Sequence, residues 1–400
     1  MTEAVIVSTA RSPIGRAMKG SLVDVRPDDM TATIVKAALE KVPQLDPKTV
    51  DDLILGCGQP AGESGYNMAR IVAILAGMDD VPGVTVNRYC SSSLQAIRMA
   101  AHAIKAGEGD VFVCAGVETV SRYVNGMADT GPHNPLFADA EARTKDLSNG
   151  ADSWEPFPGL PDVYIAMGQT AENVRLKEGV TRREMDEFAT RSQQLAVANQ
   201  ENGFWEAEIT PITTPSGTVV TKDDGPRPGT TVEKLAELKP AFRPDGEVTA
   251  GNSCPLNDGA AAVIVMSDTK ARELGITPLA RIVASGVSGL NPEIMGLGPI
   301  EASRQALKRA GMTIDDIDLV EINEAFAAQV IPSARHLGIP IEKLNVKGGA
   351  IALGHPFGMT GARIATTLIH ALQDEDKTLG LETMCVGGGQ GMAMIFERLS

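Results

Sequence analysis

The stretch "VTVNRYCSSSLQAIRMAAHAI", residues 84–104, changes period in its middle. Val84, Thr85 and Val86 form a β-branched run, after which Leu94, Ile97, Ala101 and Ile104 fall at helical spacing on one face. A strand therefore gives way to a helix at a short polar elbow, and that elbow holds Cys90 followed by Ser91, Ser92 and Ser93. The same pattern returns at residues 344–372, "LNVKGGAIALGHPFGMTGARIATTLIHAL": a short strand, a glycine-rich elbow holding His355, and a small-residue helix.

The flanks repeat as well. The helical "DDMTATIVKAALEKV" before "LDPKTVDDLILG" parallels "PIEASRQALKRAG" before "MTIDDIDLVEIN". Behind the two elbow helices come "DVFVCAGVE" and "LETMCVGGGQGMAMIFE". The second half closes at once with a strand at 392–396, whereas the matching strand of the first half, "DGAAAVIVMS" at 258–267, lies far downstream. Residues 121–249 between them are Pro- and Gly-rich and irregular, apart from a helical portion around "SQQLAVANQ", and read as a functional insertion. The expected division is a first half at 1–120 plus 250–270, an inserted loop domain at 121–249, and a second half at 271–400. Two such halves imply α/β layers about a pseudo-twofold axis, with ligands gathering at loops beyond the strand ends. The Cys90 and His355 elbows then face one another.

Four hundred residues exceed one ordinary core, and a 43% hydrophobic content suits a packed α/β chain. The net charge of −15 argues against a nucleic-acid binder but leaves room for an anionic small molecule, which needs only a few local cations. The cysteines at 57, 90, 114, 254 and 385 contain no C-x-x-C pair and read as reduced thiols. No apolar run reaches the roughly 18 residues of a membrane span. The opening "MTEAVIVSTARSPIG" enters a strand directly, without a signal peptide, so a cytoplasmic protein is expected.

Four positions carry candidate chemistry. Cys90, at a helix N-terminus, is expected to have a depressed pKa and to act as a nucleophile, against the plainer reading of a small buried hydrophobe. His355, among Gly348, Gly349, Gly354, Gly358 and Gly361, is a candidate base for it. Cys385 precedes three glycines whose N–H groups can form an anion nest, and suits a general acid/base. Asn323, in "EINEAFAAQ", reads most simply as a helix N-cap and otherwise as a donor to an oxyanion or a water. No metal-ligand spacing appears, so no metal is expected.

Taken in order, "NRYCSSSLQA", "NEAFAAQ", "GGAIALGHPFGMTGAR" and "CVGGGQGMAMIFE" strongly resemble the thiolase family. "VIVSTARSPIG", "MGQTAENV" and "TAGNSCPLNDGAAA" fit it too, so the resemblance covers essentially the whole chain. It implies an α/β fold, a duplicated five-layer α/β/α/β/α architecture with a loop domain inserted in the first half. It implies that Cys90 accepts the acyl group, that His355 activates it, and that Cys385 shuttles the proton of the acetyl-CoA α-carbon. Asn323 would hold a water that forms one oxyanion hole with His355, and the N–H groups of Cys90 and Gly387 would form the other. Met167, Ala250, Cys254, Met295 and Phe326 would line the substrate site, Met295 near the acyl pocket. Coenzyme A enters as co-substrate, no bound cofactor is needed, and a homodimer or homotetramer is implied.

Three departures stand out. Ser93 replaces a usual glycine and is expected to narrow the site or donate to backbone. Cys254 replaces a serine that contacts pantetheine, and Ala166 stands where acetoacetyl-CoA-specific members commonly carry histidine. The expected activity is that of a degradative 3-ketoacyl-CoA thiolase of fatty-acid β-oxidation. The alternatives are a biosynthetic acetoacetyl-CoA thiolase (acetyl-CoA acetyltransferase) and, less favoured, a non-catalytic acyl-CoA-binding relative. The CoA phosphates are expected to meet Lys or Arg residues of the insert.

Overall fold

The computed structural model describes residues 2–400. The chain opens with β1 (Ala4–Arg11), α1 (Pro27–Glu40), β2 (Asp52–Cys57), α2 (Met68–Leu75), β3 (Gly83–Val86), α3 (Ser92–Ala106) and β4 (Val111–Thr119). A long segment carrying α4 (Met167–Glu178) and α5 (Arg182–Glu201) precedes β5 (Asn257–Ser267). There follow β6 (Ala280–Gly289), α6 (Gly298–Ala310), β7 (Leu319–Ile322), α7 (Ala327–Leu337), α8 (Thr360–Asp374), β8 (Leu379–Val386) and β9 (Gln390–Arg398). Local signals set several boundaries. Pro27 starts α1 with Asp28 and Asp29 in its first turn, against the positive end of the helix dipole. Thr181 and Glu184 close a reciprocal capping box on α5.

The strands run in the order β7-β8-β9-β6-β1-β5-β4-β2-β3, with the two-residue strand Gly15–Arg16 beside β5. In the first half β1 is antiparallel to β5 and β5 to β4, while β4, β2 and β3 are mutually parallel. In the second half β6 is antiparallel to β9 and β9 to β8, while β8 and β7 are parallel and Val320 bridges Leu344 in parallel. The two halves thus share one hydrogen-bonding plan, and they join where Val5 pairs with Arg281 and Ile6 with Ala280.

Strand periodicity sorts the core into layers. In β4, Val111, Val113 and Ala115 pack with α1 and α2, while Phe112 and Cys114 pack with α3 and α8. In β9, Met392, Met394 and Phe396 face that same central layer, while Ala393 and Ile395 face α6 and α7. The result is five layers: α1/α2, the first half-sheet, α3/α8, the second half-sheet, and α6/α7. Leu94, Ile97, Ala101 and Ile104 of α3 are all buried at the centre, each large side chain stabilising by about 1.5–3 kcal/mol. α3 and α8 cross so closely that a Cβ on Gly361 would lie 2.3 Å from the Leu94 nitrogen. Among the described residues no helix is long and apolar enough to cross a membrane.

Two buried carboxylate clusters tie the segment between β4 and β5 to the halves. Arg11, fully buried, pairs with Glu208 at 2.7 Å and Asp223 at 2.9 Å, and Asp223 also accepts from the Ile14 N–H at 2.7 Å. On the other side Glu293, 1% exposed, pairs with Arg143 and accepts from Trp154 Nε1 and the Asp162 N–H, each at 3.0 Å. Buried charges arranged this way cost little only while every partner is present.

Candidate active site

The elbow before α3 is strained. Tyr89 has φ +41°, in the left-handed region that bulky residues rarely adopt. The turn is held because the Tyr89 N–H donates to Asn87 Oδ1 at 2.8 Å, and Ser92 Oγ accepts from the Arg88 N–H at 2.9 Å and donates to the Tyr89 carbonyl at 2.7 Å. This leaves Cys90 in the 3₁₀ turn Tyr89–Ser91, 7% exposed, where the Gly387 N–H donates to its thiol. Burial pushes the Cys90 thiol up to about 12, the Gly387 and Cys90 N–H groups pull it back, and the Glu118 charge adds to the rise. The depressed pKa expected from the helix N-terminus is therefore corrected: loss of water outweighs the amide donors, and the resting group is a thiol.

His355, 2% exposed, sits in the opposite elbow. Its N–H donates to Asn257 Oδ1 at 3.0 Å, and the Phe357 ring meets its ring edge-on at 5.2 Å. Nδ1 lies 2.6 Å from Thr360 Oγ1, whose own proton goes to the Pro356 carbonyl at 2.8 Å. Thr360 can therefore only accept from the ring, which puts the imidazole proton on Nδ1 and leaves Nε2 with a free lone pair. Burial, helped by the Arg363 charge, lowers the His355 pKa to about 3, so the ring is neutral.

Asn323 is not an N-cap. The position before α7 is Phe326, while the Asn323 N–H donates to the Thr383 carbonyl at 3.0 Å and continues the ladder between β7 and β8. Gln329 Nε2 holds the Asn323 carbonyl at 2.6 Å. The Asn323 amide nitrogen lies 3.3 Å from Nε2 and 3.4 Å from Nδ1 of His355, in line with neither lone pair. Its amide oxygen is buried without a protein partner among the described residues and is free to accept from a water.

Cys385 is fully buried at the end of β8, and burial raises its thiol pKa well above the ordinary value, with Cys90 and Cys254 adding to it. Burial and Cys90 likewise raise Cys254, so three thiols share this corner. A cavity of about 470 Å³ is lined by Tyr89, Cys90, Tyr164, Met167, Phe357 and Gly387 among others. Ala250 lines a smaller cavity beside Cys254, walled by Arg16, Arg227 and Pro255. Met295 and Phe326 line neither cavity and belong to the outer core that also contains Cys385. Ser93 is fully buried, and its Oγ accepts from the Ala362 N–H at 2.9 Å, at the start of α8.

Sequence reasoning missed four contributors. Thr360 sets the His355 tautomer. Arg16 and Arg227 present guanidinium groups without a carboxylate partner among the described residues, and Arg16 lies outside the expected insert. Glu118, 1% exposed at the end of β4, accepts from several N–H groups around the site. The internal echo held its signal: Glu118 pairs with Gly259 as Cys385 pairs with Gly391, so the two occupy equivalent places in the halves.

Comparison with known proteins agrees along the chain. Residues 4–269 match the family "Thiolase, N-terminal domain" and residues 276–398 match "Thiolase, C-terminal domain". A 3-ketoacyl-CoA thiolase of Bacillus subtilis (strain 168) is 45% identical over 410 residues, covering 99% of this chain and 100% of that protein. A 3-oxoadipyl-CoA/3-oxo-5,6-dehydrosuberyl-CoA thiolase of Escherichia coli (strain K12) is 43% identical over 411 residues, covering 100% of both. The crystal structure of the Bacillus anthracis acetyl-CoA acetyltransferase is similar with TM-score 0.86 and 40% identity, over 100% of this chain and 99% of that one. The dimeric peroxisomal thiolase of Saccharomyces cerevisiae gives TM-score 0.89 and 35% identity, over 99% of this chain and 97% of that one.

Proposed function

The chain belongs to the thiolase family and is an acyltransferase, and from that premise we propose that it thiolytically cleaves 3-ketoacyl-CoA into acetyl-CoA and a shortened acyl-CoA. The observation that carries the reading is the Cys90 thiol at the cavity wall, touched by the Gly387 N–H, together with a neutral His355 held in the Nδ1–H tautomer beside Phe357, whose ring lines the same cavity.

Neither thiol nor imidazole is ionised at rest, so proton transfer accompanies attack. Cys90 Sγ bonds to the β-carbonyl carbon as its proton passes to His355 Nε2. The alkoxide rests against the N–H groups of Cys90 and Gly387. When the Cα–Cβ bond breaks, its electrons form the acetyl-CoA enolate, which His355 and an Asn323-held water stabilise and Cys385 protonates. The Cys385 thiolate then takes the proton of an incoming CoA thiol. The CoA thiolate so formed attacks the acyl-Cys90 carbonyl, and the expelled Cys90 sulfur recovers its proton from His355. Every proton and electron pair is returned.

Ala166, at the start of α4, together with the aromatic and apolar cavity wall, supports a degradative enzyme acting beyond four-carbon substrates. We assign residues 121–249 to a domain that covers CoA, with Arg227 from it and Arg16 from the first half contacting its phosphates. Five free cysteines suit a cytoplasmic protein, and a homodimer or homotetramer is its assembly in this reading. The test is initial-rate thiolysis across straight-chain 3-ketoacyl-CoA substrates. Cleavage of six-carbon and longer chains is expected, and activity confined to acetoacetyl-CoA would overturn the degradative assignment in favour of the acetyl-CoA acetyltransferase one.

A further inference from the structure

We propose that Glu118 is a positioning residue for this reaction: its buried carboxylate clamps the loops of both halves that flank Cys90 and His355. Oε2 accepts from the Gly58 N–H at 2.8 Å and the Gly358 N–H at 3.0 Å. Oε1 accepts from the Gln59 N–H at 3.1 Å and the Tyr123 hydroxyl at 3.0 Å. Gln59 lines the Cys90 cavity, and Gly358 follows Phe357, whose ring braces His355 and lines the same cavity. One carboxylate therefore joins a first-half loop, a second-half loop and the turn after β4. The fit leaves no spare room, because a Cβ on Gly58 would lie 2.8 Å from Oε2 and 3.1 Å from the Phe357 Cβ.

Only a carboxylate completes this set. Four donors converge on two oxygens, and neither a protonated acid nor an amide can accept from all four. The titratable groups facing Glu118 are the Cys57 thiol, 4.0 Å from Oε1, the Tyr123 phenol and, further off, the Cys90 thiol. No cation pairs with it among the described residues. Burial raises its pKa to about 7, with the four donors pulling the other way, so the clamp closes as pH rises through neutrality.

The inference rests on the thiolase reading, and the experiment separates the two. Thiolysis is measured for wild type, Glu118→Gln and Tyr123→Phe from about pH 6 to 8.5, spanning the Glu118 titration, with melting curves for each. For wild type, log kcat is expected to rise and level off across neutrality. Glu118→Gln should lose about 10- to 100-fold in kcat, as for one or two charge-assisted bonds, with KM held within about threefold and the neutral limb gone. Tyr123→Phe, which removes one donor to the anion, should keep the limb and move it to higher pH. The Tyr123 result also decides the matter if Glu118→Gln does not fold. An unchanged limb in both variants, or a Glu118→Gln kcat equal to wild type, overturns the inference. No thiolysis by wild type at any pH overturns the functional reading instead.

Discussion

Replacing Thr360 with valine tests whether the tautomer of His355 matters to the chemistry. The two side chains have nearly the same volume, and Thr360 is fully buried, so the change removes an acceptor and little else. In the native protein Nδ1 donates to Thr360 Oγ1 at 2.6 Å, while the threonine proton is committed to Pro356. Without the oxygen, a buried N–H is left unsatisfied at a cost of about 1–3 kcal/mol. The ring escapes that cost by moving its proton to Nε2, the atom that must receive the Cys90 proton. At about 1.4 kcal/mol per tenfold, Thr360→Val should lower kcat about 10- to 100-fold. Thr360 lines neither cavity, so KM for both substrates should stay within about threefold of wild type, the signature of an interaction made in the transition state. Thr360→Ser restores the oxygen and should restore the rate. Initial rates of thiolysis give kcat and KM, and ¹⁵N NMR of labelled histidine reads the tautomer directly. A Thr360→Val enzyme within about twofold of wild type in kcat, or a Thr360→Ser enzyme equally impaired, would refute the reasoning.

Three further outcomes are expected. His355 titrates near 3 when folded against an ordinary 6.5, so the unfolded chain binds more protons between those values and stability falls as pH drops below about 6.5. Between pH 7 and 5 wild type should lose about 2 kcal/mol more than His355→Asn in urea unfolding. Glu293→Gln leaves the Arg143 guanidinium without its anion and should cost about 3 kcal/mol, with protease cleavage rising within residues 143–162. Arg227→Ala should raise KM for CoA about tenfold while leaving kinetics with a phosphate-free pantetheine thiol unchanged, measured side by side.

The fold was legible because duplication leaves two independent copies of one pattern. Apolar runs buried on both faces, such as Val111–Thr119 and Gln390–Arg398, mark central strands, and each elbow breaks its helix pattern with small or polar residues. The placement of the candidate residues was legible where residue type and elbow coincide, since Cys90 and His355 both stand buried at the turns before α3 and α8. It was illegible where the outcome depends on burial or on a partner distant in the chain. The Cys90 pKa moved opposite to expectation because the sequence shows a helix start but not the exclusion of water around it. Asn323 looked like a cap because its neighbours suit one, yet β8, some sixty residues on, supplies the Thr383 carbonyl that keeps it in the sheet. Ser93 was expected to narrow the site or donate, and instead accepts from Ala362 in the companion helix. Met295 lies in the buried cluster that also holds Cys385. In the sequence Glu118 is inconspicuous because a lone glutamate after an apolar strand resembles an exposed strand end. Only its pairing opposite Gly259, in the place Cys385 holds opposite Gly391, sets it apart.

The central claim, that Cys90 takes the acyl group from the cleaved 3-ketoacyl-CoA and hands it to the incoming CoA thiol, is tested most directly by running that second half-reaction backwards: intact-protein and peptide mass spectrometry after mixing with acyl-CoA and quenching in acid. The account predicts a single acyl adduct on the peptide containing Cys90, discharged by free CoA and absent from Cys90→Ala. An adduct on Cys254 or Cys385 in place of Cys90, or none with any chain length, would contradict it.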